Sequence, residues 1–152
     1  MASIFQKSLL AASVALGLGA PMAANAAGNT DMYVVVFRAD WCGPCKVMEP
    51  KLHSALNSLR DPGMEYVEFD FTNTQTQIPA NKAFDRQIVP QYNKWFPMTG
   101  FAVMIDADSK RTLGCINQTY DIESMKAHLR NLKSQAVTNR YTQDMTCPPR
   151  NN

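Results

Sequence analysis

The sequence carries little net charge of either sign. Its 15 lysines and arginines nearly balance its 13 aspartates and glutamates, which leaves a formal net charge of +2. Binding of nucleic acid or of an anionic bilayer draws on a concentrated basic surface. We therefore expect no nucleic-acid partner, and we expect the mature protein to be soluble.

Long hydrophobic runs are also scarce, and only one stands out, from Leu9 to Ala20. It is too short to span a bilayer comfortably. It follows the positive charge of Lys7 and precedes a small-residue cleavage site at 24–26, as in a secretory signal. We predict a signal peptide over residues 1–26 and, because its alanine-rich end is typical of bacterial signals, export to the periplasm. A permanent membrane anchor is the alternative.

Cysteine is sparse, but two of the four cysteines, Cys42 and Cys45, lie close together. A zinc site needs a second close pair of ligands, whereas Cys115 and Cys147 are far apart in sequence. We therefore predict no metal site. Spacing by two residues favours a redox-active pair over a structural disulfide or half of a zinc site.

The cysteine pair follows a predicted strand and opens a predicted helix. The apolar run Tyr33–Phe37 precedes it, and apolar residues recur behind it at helical spacing as far as Leu59. Cys42 thus falls at a helix N-terminus, where free N–H groups and the helix dipole stabilise an anion. Such a position lowers the pKa of a thiol, and Lys46 adds positive charge nearby. We predict that Cys42 attacks a disulfide and that Cys45 resolves the mixed disulfide.

The segment WCGPCK at residues 41–46 resembles the active site of thioredoxins. Pro50 matches the proline that kinks the active-site helix of that family. The resemblance implies that the dithiol is the redox centre and that no other cofactor is needed. It also implies that Trp41, Gly43 and Pro44 shape the exposed turn and that Lys46 tunes its charge.

We predict an α/β, thioredoxin-like fold with a four-stranded mixed sheet flanked by helices, in one domain over residues 27–152. Its core covers about residues 32–134, followed by an irregular tail over 135–152. Asp121 should cap a last helix ending near Ser134. The helical insertion Pro79–Trp95 is longer than in a minimal thioredoxin and should break near Pro90. The predicted strands are Tyr33–Phe37, Glu65–Phe71, Phe101–Asp106 and Arg111–Asn117.

One departure from the family concerns acid–base chemistry. Thioredoxins carry a buried acid beneath the resolving cysteine, and this chain has Val36 at that position. The acid helps to remove the proton of the second thiol, so its loss is expected to slow resolution. Glu68 aligns with a buried lysine of the family. We hypothesise that Glu68 supplies the base from the neighbouring strand; the alternative is a solvent-facing glutamate.

A second departure concerns the loop before the third strand. Thioredoxins have a cis-proline there, which faces the cysteines, pairs with the substrate backbone and blocks metal. Here Thr99 and Gly100 fall at that place, and Pro97 lies three residues before Gly100. A cis bond at Gly100 would cost about 3–4 kcal/mol. We expect either a trans Gly100 or participation of Pro97 after a shift, with Thr99 and Gly100 as the second wall of the site.

Cys115 and Cys147 are additional to the family pattern. An even number of cysteines in an oxidising compartment favours a structural disulfide between them. The alternative is a second exchange pair that passes electrons to or from Cys42 and Cys45.

The sequence therefore predicts a periplasmic thiol–disulfide oxidoreductase. Its expected substrates are cysteine-containing exported proteins, and a membrane thiol carrier would recharge the dithiol. The Gly-Pro between the cysteines resembles reducing members of the family, so a reductase is favoured over an oxidase or isomerase. Two other classes stay open: a carrier that binds copper or zinc through thiolates, and an assembly module in which the disulfide is only a staple.

Overall fold

The computed structural model describes residues 29–73, 77–142 and 146–149. The predicted signal peptide lies outside these residues. In the described ranges, no helix has the length and apolar character needed to cross a bilayer. The elements in chain order are β1 (Met32–Arg38), α1 (Gly43–Leu59), β2 (Met64–Asp70), α2 (Gln77–Asp85), α3 (Val89–Trp95), β3 (Phe101–Asp106), β4 (Thr112–Asn117) and α4 (Ile122–Thr138).

The strands form one mixed sheet in the order β2-β1-β3-β4. β1 runs parallel to β2 and antiparallel to β3, and β3 runs antiparallel to β4. The predicted four-stranded mixed sheet flanked by helices is confirmed. β1 is uniformly apolar because helices cover both faces of the sheet at its centre, so every residue from Met32 to Phe37 is buried.

Alternation along β1 divides the core into two layers. Val34 and Val36 point to the side covered by α1 and α4, where they pack with methionines and leucines of those helices. Phe37 points to the opposite side, covered by α2 and α3. Its ring lies 5.1 Å from that of Phe69 and 5.0 Å from that of Phe101, between centroids. This aromatic layer carries the C-terminal end of β1, from which the chain turns to the cysteines.

The predicted helical insertion forms two helices, α2 and α3. Pro90 lies in the first turn of α3 and not in a helix interior. Proline suits that position because the N–H it lacks has no partner in a first turn. The last helix begins after Asp121, whose side chain accepts a hydrogen bond from the Ser124 N–H, as predicted. Its predicted end near Ser134 was wrong. α4 continues to Thr138, because Gln135 and Ala136 are still buried.

The described part of the tail, residues 146–149, lies against β4, which is an edge strand. Cys147 forms a disulfide with Cys115. The Cys115 N–H donates to Thr146 Oγ1 at 2.8 Å, and Trp95 Nε1 donates to the Pro148 carbonyl at 3.2 Å. The tail therefore covers part of a sheet edge and part of the aromatic core, which limits exposure of unpaired strand groups.

Candidate active site

Cys42 and Cys45 are joined by a disulfide at the start of α1, with an S–S length of 2.03 Å. Cys42 is the N-cap residue of the helix, and its Sγ accepts a hydrogen bond from the Cys45 N–H at 3.2 Å. Sulfur here takes the place of the oxygen that usually caps a helix. The same N–H and the helix dipole are available to stabilise a thiolate when the bond is reduced.

The two sulfurs differ in how a partner can approach them. In the disulfide state Cys42 is 4% exposed and Cys45 is 1% exposed. Trp41, Gly43 and Pro44 around Cys42 are all exposed, with Trp41 65% accessible. Cys45 Sγ instead lies 3.9 Å from the Phe37 carbonyl oxygen, inside the protein. An incoming disulfide therefore meets Cys42 first.

Gly100 forms a wall beside the cysteines. Its φ is +98°, a conformation that side chains rarely adopt, and its N–H donates to the Phe37 carbonyl at 2.9 Å. A Cβ at this position would lie 3.0 Å from Pro44 Cβ and 3.6 Å from Cys42 Sγ. Glycine is therefore required both by the backbone and by the available space.

The loop also decides between the two conformations expected from sequence. Among the described residues the cis peptide bond is Phe96–Pro97, so the bond before Gly100 is trans. Thr99 is half-buried and precedes Gly100 in the chain, whereas Pro97 is exposed. A trans glycine therefore lies against Cys42, at the place where thioredoxins have a cis-proline.

Glu68 pairs in register with Val36 on the neighbouring strand. Val36 is fully buried among the apolar residues under α1. The Glu68 side chain is 35% exposed, and its Oε1 lies 3.7 Å from Arg38 Nη1. Glu68 is therefore held at the edge of a charged cluster around Arg38, at the end of β1 that leads to the cysteines.

Arg38 gathers four carboxylates from three parts of the fold. It contacts Asp40 at 2.8 Å, Glu49 at 3.2 Å and Asp70 at 2.6 Å, besides Glu68. Burial lowers the pKa of the guanidinium, but the hydrogen bond with Asp40 and the charges of the other carboxylates outweigh burial and raise it. Arg38 therefore stays charged and holds the carboxylates beside the start of α1.

The carboxylate cluster around Arg38 was not predicted from the sequence. Arg38 comes from β1, Glu49 from α1, and Asp70 from β2, so the sheet and its crossover helix must form before they meet. One member could have been found: Glu49 follows Cys45 by four residues, a spacing that places two side chains on one helix face.

The second disulfide lies apart from the active-site pair. The Cys115–Cys147 disulfide belongs to the aromatic core layer, whereas Cys42 and Cys45 form a separate cluster with Ala39. In the part of the chain that the structure describes, no group of three or more histidine, cysteine, aspartate or glutamate side chains is arranged to hold a metal ion.

Comparison with known proteins agrees with this arrangement. The family model described as Thioredoxin matches residues 23–96, a stretch that contains both cysteines, α1 and the Arg38 cluster. The fold is thioredoxin-like. Gly100 and the second disulfide lie beyond the matched stretch of this thioredoxin-like domain.

Individual relatives match over a shorter stretch. A thioredoxin of Ophiophagus hannah is 39% identical over 47 residues, which cover 31% of this chain and 43% of that protein. A thioredoxin of Gallus gallus is 37% identical over 49 residues, which cover 32% of this chain and 45% of that protein. Thioredoxin H2 of Arabidopsis thaliana is 36% identical over 42 residues, which cover 28% of this chain and 30% of that protein. The matched segment thus spans less than half the length of each of these relatives.

Proposed function

We propose that this protein is a thiol–disulfide oxidoreductase with Cys42 and Cys45 as its redox centre. One observation carries the proposal: the disulfide caps the N-terminus of α1, where the Cys45 N–H already contacts Cys42 Sγ at 3.2 Å. A sulfur in that position is stabilised as an anion once the bond is reduced, and the thiolate is the reactive form of cysteine. The likeness of residues 23–96 to thioredoxin supports the same conclusion.

The exchange proceeds in two steps. The Cys42 thiolate attacks one sulfur of a substrate disulfide; a Cys42–substrate disulfide forms, and the other substrate sulfur leaves as a thiolate. Cys45, after losing its proton, then attacks Cys42 Sγ, so that the Cys42–Cys45 bond forms and the second substrate sulfur leaves. The substrate disulfide gains two electrons, and the protein dithiol loses two.

The surroundings of Cys42 suit an extended substrate chain. Exposed Trp41 offers apolar surface on one side, and Gly100 brings the β3 loop close on the other. The lack of a side chain on Gly100 lets the backbone of a partner approach the sulfur closely. Thr99, next to Gly100, belongs to the same wall in this proposal.

We place this activity in the periplasm. The signal predicted at residues 1–26 supports export, and the Cys115–Cys147 disulfide fits an oxidising compartment. The substrates are then cysteines of other exported proteins, and a membrane thiol carrier restores the dithiol. Because Gly-Pro separates the cysteines, we propose reduction as the favoured direction.

The decisive test is reduction of insulin disulfides by catalytic amounts of the protein in the presence of a dithiol. We expect turbidity to appear early with wild type, and no acceleration with Cys42→Ser or Cys45→Ser. The double variant Cys115→Ser/Cys147→Ser is the matched control and should retain activity. Wild-type protein that is folded but does not accelerate the reaction would favour the assembly-module alternative.

Direction is tested separately, by equilibrating the Cys42–Cys45 pair against a glutathione redox buffer. A reductase should give a potential near that of thioredoxins, about −270 mV. A value near that of strong periplasmic oxidants, about −120 mV, would overturn the assigned direction and leave the exchange chemistry intact.

A further inference from the structure

A cavity of about 280 Å³ opens beside the buried cysteine of the pair. It is large enough for several water molecules. Its lining residues are Arg38, Ala39, Asp40, Cys45, Lys46 and Glu49. Cys45 is 1% exposed, and this cavity is where the structure brings it together with titratable side chains.

Two carboxylates line the cavity, and they differ in position. The side chain of Asp40 is 68% exposed and faces solvent, where it contacts Arg38. The side chain of Glu49 is 17% exposed and lies on α1, one turn after Cys45. Side chains on a helix lean towards its N-terminus, so Glu49 leans towards the turn that contains Cys45.

The Glu49 carboxylate is held in place by Arg38. The Arg38 Nε donates to Glu49 Oε1 at 3.3 Å and to Oε2 at 3.2 Å. The guanidinium is shared with the carboxylates of Asp40, Glu68 and Asp70. It therefore fixes the position of Glu49 without neutralising the whole cluster, so a proton added to the cluster is not opposed by excess positive charge.

Other ionisable groups face Glu49 as well. Lys46 lines the same cavity from α1. Tyr66 approaches from β2; burial raises the pKa of its phenol, and the charges of Glu68 and Glu49 add to that rise. Tyr66 therefore stays neutral and does not compete for the proton near neutral pH.

Of the two carboxylates that line the cavity, Glu49 is the one that is largely shielded from solvent. Val36, which stands where thioredoxins have a buried acid, is fully buried and apolar. Glu68, the base that sequence analysis suggested, contacts Arg38 but does not line the cavity. The cavity and the helix spacing both select Glu49 instead.

We propose that Glu49 accepts the proton of Cys45, through water in this cavity, during resolution of the mixed disulfide. This inference rests on the proposed exchange activity. As the Cys45 S–H bond breaks, the proton passes to the Glu49 carboxylate and the Cys45 thiolate attacks Cys42 Sγ. The Cys42–substrate bond breaks and the substrate leaves as a thiolate. The proton then passes from Glu49 to solvent through the open side of the cavity.

The test compares Glu49→Gln with wild type in the full chain. Reduced protein is mixed with oxidised glutathione between pH 5.5 and 9.5, quenched with acid, and analysed by mass for the glutathione adduct on Cys42. Glu49→Gln should form the adduct at the wild-type rate but release it about 100-fold more slowly near neutral pH, as expected for loss of a general base. The deficit should shrink above pH 9, where hydroxide removes the proton, and Glu49→Asp should restore part of the rate.

Glu68→Gln is the matched control, because Glu68 contacts the same guanidinium but lies off the cavity. It should leave both adduct formation and release unchanged. The assignment of Glu49 would be overturned if Glu49→Gln released glutathione from the adduct at the wild-type rate. It would also be overturned if release were slower than wild type by the same factor at every pH. Loss of release in Glu68→Gln would transfer the role to Glu68. If wild-type protein forms no adduct at all, it is the proposed exchange activity that fails.

Discussion

Gly100 lies directly against Cys42, although 58 positions separate them in the chain. A Cβ added to Gly100 would come within 3.6 Å of Cys42 Sγ and within 3.0 Å of Pro44 Cβ. This approach joins the β3 loop to the start of α1, so the space around the reactive sulfur depends on two distant segments.

Gly100→Ala should weaken both the fold and the exchange reaction. A side chain at a φ of +98° costs about 1–3 kcal/mol of unfolding free energy. The displaced Pro44 would also shift Cys42, and we expect insulin reduction to slow roughly tenfold. Urea unfolding of the oxidised protein and the insulin assay measure the two effects.

Gly43→Ala provides the matched control. Gly43 lies in the first turn of α1, and a Cβ there would meet nothing within 4 Å. We expect stability to be unchanged or slightly higher, because alanine favours helix over glycine by about 0.5–1 kcal/mol. Equal losses in both glycine variants would contradict a specific role for the Gly100 contact.

The reduced protein should react with iodoacetamide at Cys42 and not at Cys45. Cys42 caps a helix N-terminus and lies among exposed residues, whereas Cys45 Sγ lies against the Phe37 carbonyl inside the protein. Alkylation should therefore proceed below pH 7, where an ordinary thiol with a pKa near 8.5 reacts slowly. Peptide mass mapping after brief labelling identifies the site. Preferential labelling of Cys45 would reverse the assigned roles.

Removing the second disulfide should lower stability without stopping exchange. In Cys115→Ser/Cys147→Ser the cross-link between residues 32 positions apart is lost, and we expect a decrease of about 2–4 kcal/mol in the unfolding free energy. The emission of Trp95, which donates to the Pro148 carbonyl, should report loosening of the tail. A folded variant that no longer exchanges disulfides would instead support the second-exchange-pair alternative.

Tyr141→Phe should make the unfolding free energy less dependent on pH in the acid range. Burial raises the pKa of Asp106, but hydrogen bonds from Tyr141 and from the Ser109 and Asp108 N–H groups outweigh it and bring the pKa below its ordinary value of 3.8. The carboxylate therefore contributes stability that is fully present above pH 3.8 and is lost as the pH falls through the folded-state pKa. The Tyr141→Phe deficit should be largest near neutral pH and fade in acid.

Urea midpoints for wild type and Tyr141→Phe, measured from pH 7 to pH 2, test that expectation. A deficit that stays constant over the whole range would mean that Tyr141 contributes packing alone. Asp106→Asn, which cannot ionise, is the control. In that variant, replacing Tyr141 by phenylalanine should change the slope of the urea midpoint against pH very little.

The local features of the site were predictable from sequence. Apolar β1, the helical repeat of α1 and the spacing of Cys42 and Cys45 each depend on neighbouring residues. The same holds for Asp121 at the start of α4. The end of α4 was placed too early, because burial of Gln135 and Ala136 depends on the sheet beneath the helix and not on the helix sequence.

The strand-to-helix junction that places a cysteine at a helix N-terminus follows from the sequence alone, since backbone hydrogen bonding and side-chain periodicity are local. The tertiary structure alone decided three things: the trans glycine against Cys42, the tail fixed to β4, and the carboxylates around Arg38 beside the Cys45 cavity. Each joins segments far apart in the chain, and such contacts form only when the sheet order brings those segments together. Sequence spacing could suggest Glu49 as a neighbour of Cys45, but only the packed sheet supplies the arginine that holds it there.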